Sequence, residues 1–486
     1  MKTFDIDILI CIVPKISPDA PTVGPAVLKS HLLSRGFTCE VKDLNIELYN
    51  EMKKNNQEDY FFEKDSVFKT RDLNDLDKNF GEIYNTYEFL FNDWIEFFKK
   101  KNPKYIGLSL LSYMSTSVAL KLCLLIREHL PDTQIIWGGA EVSPGRAEVV
   151  KGYGLLDHFV SGDGEDALVN LMKGDLDSPG VNGGKTQLDD LNTVLVPNYD
   201  DIVWENYHDR NHPKPVYITG SRGCVKTCDF CNVFEMWPRY KFRSGEHIAN
   251  EMITVREKYG RETFMFTDSL INGSMKAFRA LLTILADYNN NNPDKKIKWH
   301  SQWIVRNKGQ SPESDYKLMK ESGCVALDVG IESFNERIRY ELGKKFTDED
   351  MWWCFKMLNK YQMHHTLLMF VGYPTETNED HQDTLAKIRL LDKLGYANAR
   401  SASGRRLIYF SFANTLMLDD GQPLWNKVKD DLDYYNNEFD WKYKDNTLDV
   451  RLQRLQEVND VVQEVTGQEK TWMVKKKIEM IKKSYT

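Results

Sequence analysis

The stretch Gly223-Cys-Val-Lys-Thr-Cys-Asp-Phe-Cys-Asn232 carries three cysteines, Cys224, Cys228 and Cys231, within eight residues. No fourth cysteine is close to them in sequence. A closed structural zinc site or iron–sulfur cluster is held by four protein ligands, whereas three ligands leave one coordination position open for another molecule. The stretch therefore predicts a metal centre at which chemistry can take place.

The composition is that of a large globular chain. Its 486 residues are 41% hydrophobic, and a net charge of −8 with a pI near 5.8 argues against general affinity for nucleic acid. Eight cysteines in this length do not suggest a disulfide scaffold. Residues 1–16 lack the basic start of a secretory signal, and no apolar run reaches the roughly 20 residues that span a bilayer. We expect a cytoplasmic protein of more than one domain, with no membrane contact and no nucleic-acid partner.

Strands alternate with helices over residues 1–173, which predicts a Rossmann-like α/β domain with a parallel sheet. Residues 47–101 are polar and aromatic, a pattern typical of a helical insertion. Strands are predicted at Ile6–Val13, Thr38–Leu44, Tyr105–Leu111, Thr133–Trp137 and His158–Val160, and the clearest helices at Gly24–Arg35 and Ser117–Leu130. Such sheets bind ligands at the carboxyl ends of their strands, where Ser109, Gly138, Gly139 and Gly162 lie.

A linker rich in Gly, Pro, Asn and Asp (174–215) precedes a second alternating series over residues 216–415. Its strands are predicted at Val216–Thr219, Thr263–Thr267, Lys298–Ile304, Val325–Gly330, His365–Phe370 and Leu407–Phe412. Six strand–helix units predict a partial (β/α)6 TIM-type barrel whose functional face is at the carboxyl ends of the strands. Residues 416–486 predict a C-terminal helical extension, and the basic run Lys470–Lys483 within it predicts a solvated helix face.

The motif Cys224-x3-Cys228-x2-Cys231, with the aromatic Phe230 before its last cysteine, resembles the signature of radical S-adenosylmethionine (SAM) enzymes. The resemblance implies that the three thiolates hold a 4Fe–4S cluster and that the amino and carboxylate groups of SAM bind its fourth iron. An electron from the cluster would then cleave the S–C5′ bond of SAM and yield a 5′-deoxyadenosyl radical. It also implies an external electron donor, such as a flavodoxin or a ferredoxin.

Later segments resemble, in the same order, the branch of this superfamily that also carries a cobalamin-binding domain. They are Arg239-Tyr-Lys-Phe-Arg-Ser244, Phe266-Thr-Asp268, Gly323-Cys-Val-Ala-Leu-Asp-Val-Gly-Ile-Glu-Ser333 and Phe370-Val-Gly-Tyr-Pro-Thr-Glu376. The SAM-binding residues that this resemblance implies are Phe230, Arg243, Ser244, Asp268, Glu332, Ser333 and Gly372. Glu332 and Ser333 would lie near the ribose or methionine part of SAM, and Gly372 near its adenine. The downstream segments supply the context that makes a three-cysteine motif specific.

The first domain resembles the cobalamin-binding domain found upstream of such barrels. The likeness lies in Pro21-Thr-Val-Gly24, Ile106-Gly-Leu-Ser109, Gly138-Gly-Ala-Glu-Val-Ser-Pro144 and Ser161-Gly-Asp-Gly-Glu165. The cobalamin contacts that it implies are Ser109, Gly138, Gly139, Glu141 and Gly162, with glycines that let the backbone approach a large flat ligand. The chain departs from other cobalamin proteins in lacking an Asp-x-His-x-x-Gly motif, whose histidine is the lower cobalt ligand, and in carrying glutamate at position 141.

These resemblances imply a radical SAM enzyme, and the reaction we expect is cobalamin-dependent methyl transfer to an unactivated carbon. One alternative is a radical rearrangement, cyclisation or oxidation without cobalamin. Another is a non-catalytic protein that binds an iron–sulfur cluster or zinc. Nothing in the sequence indicates the substrate, because fold analogy cannot supply one.

The remaining cysteines and the pair His364-His365 fit a structural role better than a catalytic one. The predicted buried, inert thiols are Cys11, Cys39, Cys123, Cys324 and Cys354. The pair His364-His365 precedes a core strand with no third ligand nearby, which favours a structural role. His300, on the third barrel strand, is predicted equally well as a substrate contact or as a structural residue.

Overall fold

The computed structural model describes residues 3–63, 65–70, 73–208, 214–411 and 414–468. They form two compact units, the first containing the residues up to Ile218 and Glu251–Thr263, and the second Thr219–Asn250 and the residues from Phe264 onward. The predicted basic run Lys470–Lys483 lies outside the described residues. Over the described part of the chain, no helix is both long and apolar enough to cross a membrane.

The first unit is built on a five-stranded parallel sheet. Its strands are β1 (Ile6–Ile12), β2 (Cys39–Asp43), β3 (Pro103–Ser109), β4 (Gln134–Gly138) and β5 (His158–Phe159). Their order is β2-β1-β3-β4-β5, so β1 lies between β2 and β3 and is largely buried. The prediction of a Rossmann-like α/β fold is confirmed for this unit.

Helices cover both faces of this sheet. They are α1 (Val23–Ser34), α2 (Leu44–Lys54), α3 (Glu58–Glu63), α4 (Asp65–Phe68), α5 (Leu76–Lys101), α6 (Thr116–His129), α7 (Pro144–Gly152) and α8 (Gly164–Met172). Ile8 and Ile10 belong to one hydrophobic cluster and Leu9 and Cys11 to another, as alternation along a strand requires. Residues 47–101, predicted as a helical insertion, supply α3 to α5 and most of α2, and their aromatic side chains are part of the core.

Residues 174–208, most of the predicted linker, lie within the first unit. Val181, Leu191 and Tyr199 are buried there, and Gly162 pairs with Thr186 in an isolated bridge. The segment has little regular structure, but burial of these apolar side chains holds it in place.

The second half of the chain contains a seven-stranded sheet and two short hairpins. The strands are β6 (Val216–Ile218), β7 (Ser221–Arg222), β8 (Lys241–Phe242), β9 (Thr263–Phe266), β10 (Lys298–Trp303), β11 (Cys324–Glu332), β12 (His364–Val371), β13 (Ile408–Phe410), β14 (Asn414–Thr415), β15 (Tyr434–Tyr435) and β16 (Trp441–Lys442). The large sheet has the order β13-β12-β11-β10-β9-β6 with β14 beside β12, and β10 to β14 are parallel. This open parallel sheet confirms the predicted partial barrel.

Helices alternate with these strands. They are α9 (Val233–Met236), α10 (Gly245–Tyr259), α11 (Met275–Asn291), α12 (Glu313–Glu321), α13 (Glu336–Glu341), α14 (Asp348–Lys360), α15 (Asn378–Lys393), α16 (Pro423–Val428) and α17 (Leu448–Thr466). Trp299 and Trp303 pack against Phe278 of α11, which identifies the helix-covered face of β10. His300 and Gln302 therefore lie on the opposite, inner face of the strand.

The residues after β14 are only partly helical. α16 and α17 provide helices in the predicted extension, and the β15–β16 hairpin lies between them. Trp441 of the hairpin is fully buried, with the guanidinium of Arg451 at 3.6 Å from its ring centroid. Strands of two residues have no hydrophobic period, which is why the sequence did not indicate them.

Candidate metal and cofactor site

The cysteine-bearing loop begins directly after β7. Gly223 has φ +85°, and a Cβ there would lie 2.8 Å from a backbone carbonyl oxygen, so the turn into the loop requires glycine. The Lys226 amide donates to Cys224 Sγ (3.4 Å), and the Cys231 amide donates to the Cys228 carbonyl oxygen (3.1 Å). Cys228 is buried, while Cys224 and Cys231 are half-buried.

The three thiols lie within one short loop, and Cys224 and Cys231 both act electrostatically on Cys228. Among the described residues, no three His, Cys, Asp or Glu side chains are already arranged as a metal site. Burial raises the pKa of Cys228 to about 11; Lys344 opposes the rise, while Glu332, Cys224 and Cys231 add to it. Burial also raises the pKa of Cys224.

The thiols of Cys224 and Cys228 are therefore neutral near pH 7 without a metal, and the charge of bound iron would stabilise the thiolates. Three soft donors on one short loop, Cys224, Cys228 and Cys231, fit an iron–sulfur cluster. The loop thus has the donor chemistry that its sequence motif predicts.

A buried ion pair lies against this loop. Glu332, at the end of β11, has φ +62°, and its Oε1 is 2.8 Å from Lys344 Nζ. Burial lowers the pKa of Lys344, but Glu332 and Cys228 outweigh this effect and raise it overall. A Cβ on the adjacent Gly343 would lie 3.3 Å from Cys228 Cα, so this segment touches the cysteine loop directly. The structure thus places Glu332 beside the cysteines, and it adds Lys344, which no motif indicated.

Asp268 and Arg243 hold the turn that leads into the cysteine loop. The buried Asp268 carboxylate accepts hydrogen bonds from the Gly220 amide (2.8 Å) and the Ser221 hydroxyl (2.5 Å). Burial raises the pKa of Asp268 to about 7, although these hydrogen bonds lower it. Arg243 is buried and donates to the Thr219 carbonyl oxygen (3.0 Å). Both side chains thus order the backbone between β6 and the first cysteine.

Three other predicted SAM contacts lie on elements around the loop. The Ser244 hydroxyl accepts an amide hydrogen bond from the first turn of α10 (3.2 Å). Ser333 is buried directly after β11. The Phe230 ring packs edge-to-face on Phe370 of β12, with 5.1 Å between their centroids. Phe230 therefore joins the cysteine loop to the end of β12.

The backbone conformation and close packing at position 372 require a glycine. It has φ +84°, and a Cβ there would lie 2.4 Å from the side chain of Arg451. Its amide donates to the buried Glu376 carboxylate (2.6 Å), which also accepts from Arg454 (3.1 Å). The structure thus brings Gly372 against α17.

Sequence reasoning did not single out three further residues near the cysteines. They are Asp229, Tyr373 and Lys427. The Asp229 carboxylate accepts hydrogen bonds from the Tyr373 hydroxyl and from the Lys427 ammonium. The positions of Asp229 inside the cysteine motif and of Tyr373 inside a family-like segment were signals that could have found them. Lys427 carries no sequence signal, because it lies outside every motif.

His300 has a charged neighbour on the inner face of the sheet. Its Nε2 is 3.0 Å from the Asp328 carboxylate of β11. His365 is buried in the core, and burial lowers its pKa to about 4, so it is neutral there. The five cysteines outside the loop are buried, as predicted.

The residues predicted to contact cobalamin lie at or just after the carboxyl ends of β3, β4 and β5. Ser109 and Gly138 end β3 and β4, and a Cβ on Gly138 would meet nothing within 4 Å. Glu141 follows β4 and forms an ion pair with Arg146 (2.6 Å). Gly138 is thus a glycine whose small size the surrounding structure does not explain.

Gly139 and Gly162 have an internal explanation. Gly139 has φ +106°, and a Cβ there would lie 2.4 Å from the Leu110 carbonyl oxygen. Gly162 has φ +87°, and its Cβ would lie 2.1 Å from the Thr186 carbonyl oxygen. Both glycines are required by close backbone contacts, independently of any ligand.

A family model matches the part of the chain that carries the cysteine loop. Residues 218–388 match the family model of the Radical SAM superfamily. An uncharacterised methyltransferase of Pyrococcus horikoshii is 26% identical over 355 residues, covering 68% of this chain and 74% of the relative.

Two solved structures share the fold at low sequence identity. The radical SAM methyltransferase TsrM from Kitasatospora setae, with cobalamin and a 4Fe–4S cluster bound, aligns with a TM-score of 0.60 and 16% identity over 88% of this chain and 75% of TsrM. The cobalamin-dependent radical SAM enzyme OxsB, with aqua-cobalamin and SAM bound, aligns with a TM-score of 0.61 and 15% identity over 87% of this chain and 61% of OxsB.

The matched segment defines the class of this part of the chain: residues 218–388 form a domain of the Radical SAM superfamily. The chain shares its fold with TsrM and OxsB, whose structures are described with cobalamin bound. The suspected branch of the superfamily is thereby confirmed at the level of fold.

Proposed function

We propose that this protein is a cobalamin-dependent radical SAM methyltransferase that transfers a methyl group to an unactivated carbon. The observation that carries the proposal is the combination of a cysteine loop in a radical SAM barrel with a five-stranded parallel sheet in the first unit. TsrM and OxsB share this combination and are described with cobalamin bound. The name of the Pyrococcus relative supports methyl transfer rather than another radical reaction.

In this proposal, Cys224, Cys228 and Cys231 hold the 4Fe–4S cluster. When bound, the cluster supplies the electron that cleaves SAM to a 5′-deoxyadenosyl radical. Asp268 and Arg243 order the backbone that enters the cysteine loop, through the hydrogen bonds to Gly220, Ser221 and Thr219. The electron comes from an external donor such as a flavodoxin or a ferredoxin.

Other residues of the barrel provide the walls of the SAM site. Glu332 and Ser333 lie directly at the end of β11, next to the cysteine loop. Phe230 shields the loop through its contact with Phe370. Ser244 and Gly372 complete the proposed set from α10 and from the end of β12. Ser333 and Gly372 are buried and Phe230, Ser244 and Glu332 are half-buried, which limits the access of water to a reactive intermediate.

The proposed cobalamin site is the carboxyl edge of the first sheet. Ser109, Gly138, Gly139, Glu141 and Gly162 would contact the ligand there, and Gly138 in particular leaves room for one. When bound, cobalamin carries the methyl group between SAM and substrate. With no Asp-x-His-x-x-Gly motif, this chain offers no histidine from that motif as a lower cobalt ligand.

The products of SAM turnover test this function. Anaerobic protein reconstituted with iron, sulfide and hydroxocobalamin is desalted and given a reductant and SAM labelled in its methyl group. We expect retained corrin absorbance, 5′-deoxyadenosine, S-adenosylhomocysteine, and label in the corrin fraction. A Cys228→Ala variant is the matched control and should release no 5′-deoxyadenosine.

Each alternative has its own result. 5′-Deoxyadenosine without retained corrin or S-adenosylhomocysteine would replace methyl transfer by a rearrangement, cyclisation or oxidation. Bound zinc with no turnover of SAM would instead identify a non-catalytic metal protein.

A further inference from the structure

A buried carboxylate lies inside the cysteine loop, between two of the proposed cluster ligands. Asp229 is 2% exposed, directly after Cys228 and two residues before Cys231. Its Oδ2 accepts hydrogen bonds from the Tyr373 hydroxyl (2.6 Å) and from Lys427 Nζ (3.1 Å). A buried carboxylate is costly unless it is paired, and these two donors pair Oδ2, while the buried Oδ1 has no hydrogen-bond partner among the described residues.

The backbone of Asp229 is held from two further directions. Its amide donates to the Leu342 carbonyl oxygen at the end of α13 (3.2 Å). Its carbonyl oxygen accepts from the Leu424 amide in the first turn of α16 (2.7 Å). The middle of the cysteine loop is thus joined to segments that are distant in sequence.

The segment that contacts the loop is itself anchored in the core. Leu424 and Val428 of α16 are buried in one hydrophobic cluster with Tyr373, Leu416 and Trp441. Lys427 lies between the two buried positions of α16, and its largely exposed side chain reaches Asp229 at its tip. α16 can therefore act as a fixed support for the loop, because its own position is set by apolar packing.

We infer that Asp229 is a positioning residue, which fastens the cysteine loop to α16 through Lys427 and to the end of β12 through Tyr373. This inference rests on the proposed role of the cysteines as cluster ligands. The carboxylate holds Cys228 and Cys231 in place from between them, and with Lys427 it places a charge pair beside the cluster. Interactions behind metal ligands commonly control both metal retention and redox potential.

Iron retention tests whether Asp229 holds the cysteine loop in place. The full chain and its variants are reconstituted anaerobically and exposed to an excess of iron chelator, and iron loss is followed with time. Asp229→Ala should lose iron about ten-fold faster than the unchanged protein. Asp229→Asn should lie between them, because its amide oxygen can still accept from Tyr373. Lys427→Met should show a smaller effect than Asp229→Ala, and Lys429→Met, an exposed neighbour on the same segment, should match the unchanged protein.

The midpoint potential of the cluster tests the electrostatic part. Reduction adds negative charge, so removing the Asp229 carboxylate should raise the potential, while removing the Lys427 ammonium should lower it. Asp229→Asn and Lys427→Met are therefore expected to shift the potential in opposite directions in an anaerobic redox titration followed by electron paramagnetic resonance. A merely structural role of the two side chains would not produce shifts of opposite sign.

Two failures can be told apart. If the unchanged protein and Cys228→Ala retain the same iron, the proposed function is wrong. If iron retention depends on the cysteines but Asp229→Ala matches the unchanged protein in chelation rate, the positioning role is overturned. Shifts of potential that are absent or of the same sign in Asp229→Asn and Lys427→Met would likewise overturn the electrostatic part.

Discussion

The carboxyl edge of the first sheet and the cysteine loop of the second unit were both predicted from residues that follow strands. At the first edge, Gly139 and Gly162 are required by backbone atoms within 2.4 Å and 2.1 Å of where a Cβ would lie. In the cysteine loop, Cys224 and Cys231 are half-buried thiols on either side of the buried Cys228. Gly139 and Gly162 are thus explained by the fold itself, without a ligand.

The comparison teaches how to weigh the two kinds of signal. Glycine permits both tight turns and ligand approach, so it does not distinguish between them. Thiols at close spacing point to metal chemistry, because half-exposed reduced cysteines are otherwise a liability. Among the glycines at the carboxyl edge of the first sheet, Gly138 remains a candidate ligand contact, since no contact within the fold explains why glycine is needed there.

Removing the thiols should have the largest effect. Cys224→Ala, Cys228→Ala and Cys231→Ala combined are expected to abolish iron binding and all formation of 5′-deoxyadenosine, because no other ligands replace them. Iron and sulfide per chain, together with product analysis, check this result. Cys354→Ala is the control, since that cysteine is buried away from the loop and should leave iron content unchanged. Full iron in the triple variant would contradict the assignment of the site.

The ion pair behind the loop should have the next largest effect. Glu332→Gln leaves Lys344 buried without its carboxylate, which is expected to cost about 3 kcal/mol of unfolding free energy in the iron-free protein. Urea unfolding measures this change. Lys345→Met, at the exposed neighbouring lysine, should stay within about 0.5 kcal/mol of the unchanged protein. If Glu332→Gln were as stable as the unchanged protein, the ion pair of Glu332 with Lys344 would have to be accessible to water.

Substitution can distinguish a glycine that the fold requires, Gly162, from one that no contact within the fold explains, Gly138. Gly162→Ala forces a Cβ against Thr186 in a left-handed conformation and should cost about 2 to 3 kcal/mol in urea unfolding. Gly138→Ala should change the unfolding free energy by less than about 1 kcal/mol. Gly138→Leu should also fold but lose corrin retention if cobalamin binds at this edge. Normal corrin retention in Gly138→Leu would move the proposed cobalamin site elsewhere.

A pH-dependent effect of Asp268 should be the smallest. Burial raises the pKa of its carboxyl from 3.8 to about 7 in the folded protein. The folded state then binds a proton that the unfolded state has already released, so stability falls as pH rises from about 4 to about 7. The stability of the unchanged protein relative to Asp268→Asn should therefore fall by about 2 kcal/mol from about pH 5 to about pH 8.

Urea unfolding of both proteins across this range gives the measurement. Asp43, whose pKa burial raises to about 6, is present in both proteins and cancels in the difference. A constant difference between the two proteins would show that Asp268 is ionised throughout.

Much of the fold could be predicted, because it depends on local patterns. The alternation of strands with helices indicated both parallel sheets, and β1 to β6 and β9 to β13 lie at the predicted places, whereas the short strands β7, β8 and β14 were not predicted. The β15–β16 hairpin was not predicted, since its strands are too short for a periodic signal. The packing of Tyr199 and Leu191 into the first unit was also not predicted, because their surroundings are rich in Gly, Pro and Asn.

The cysteine motif and the segments around Asp268 and Glu332 are short stretches of neighbouring residues. The sequence by itself was therefore enough to indicate a radical SAM site. The supports of that site join distant residues, as the contacts of Asp229 with Tyr373 and Lys427 illustrate. Such contacts exist only once β12 and α16 have packed together, because their geometry depends on the position of whole elements. Folding likewise decided which glycines are required by backbone contacts and which one leaves space at the edge of the first sheet.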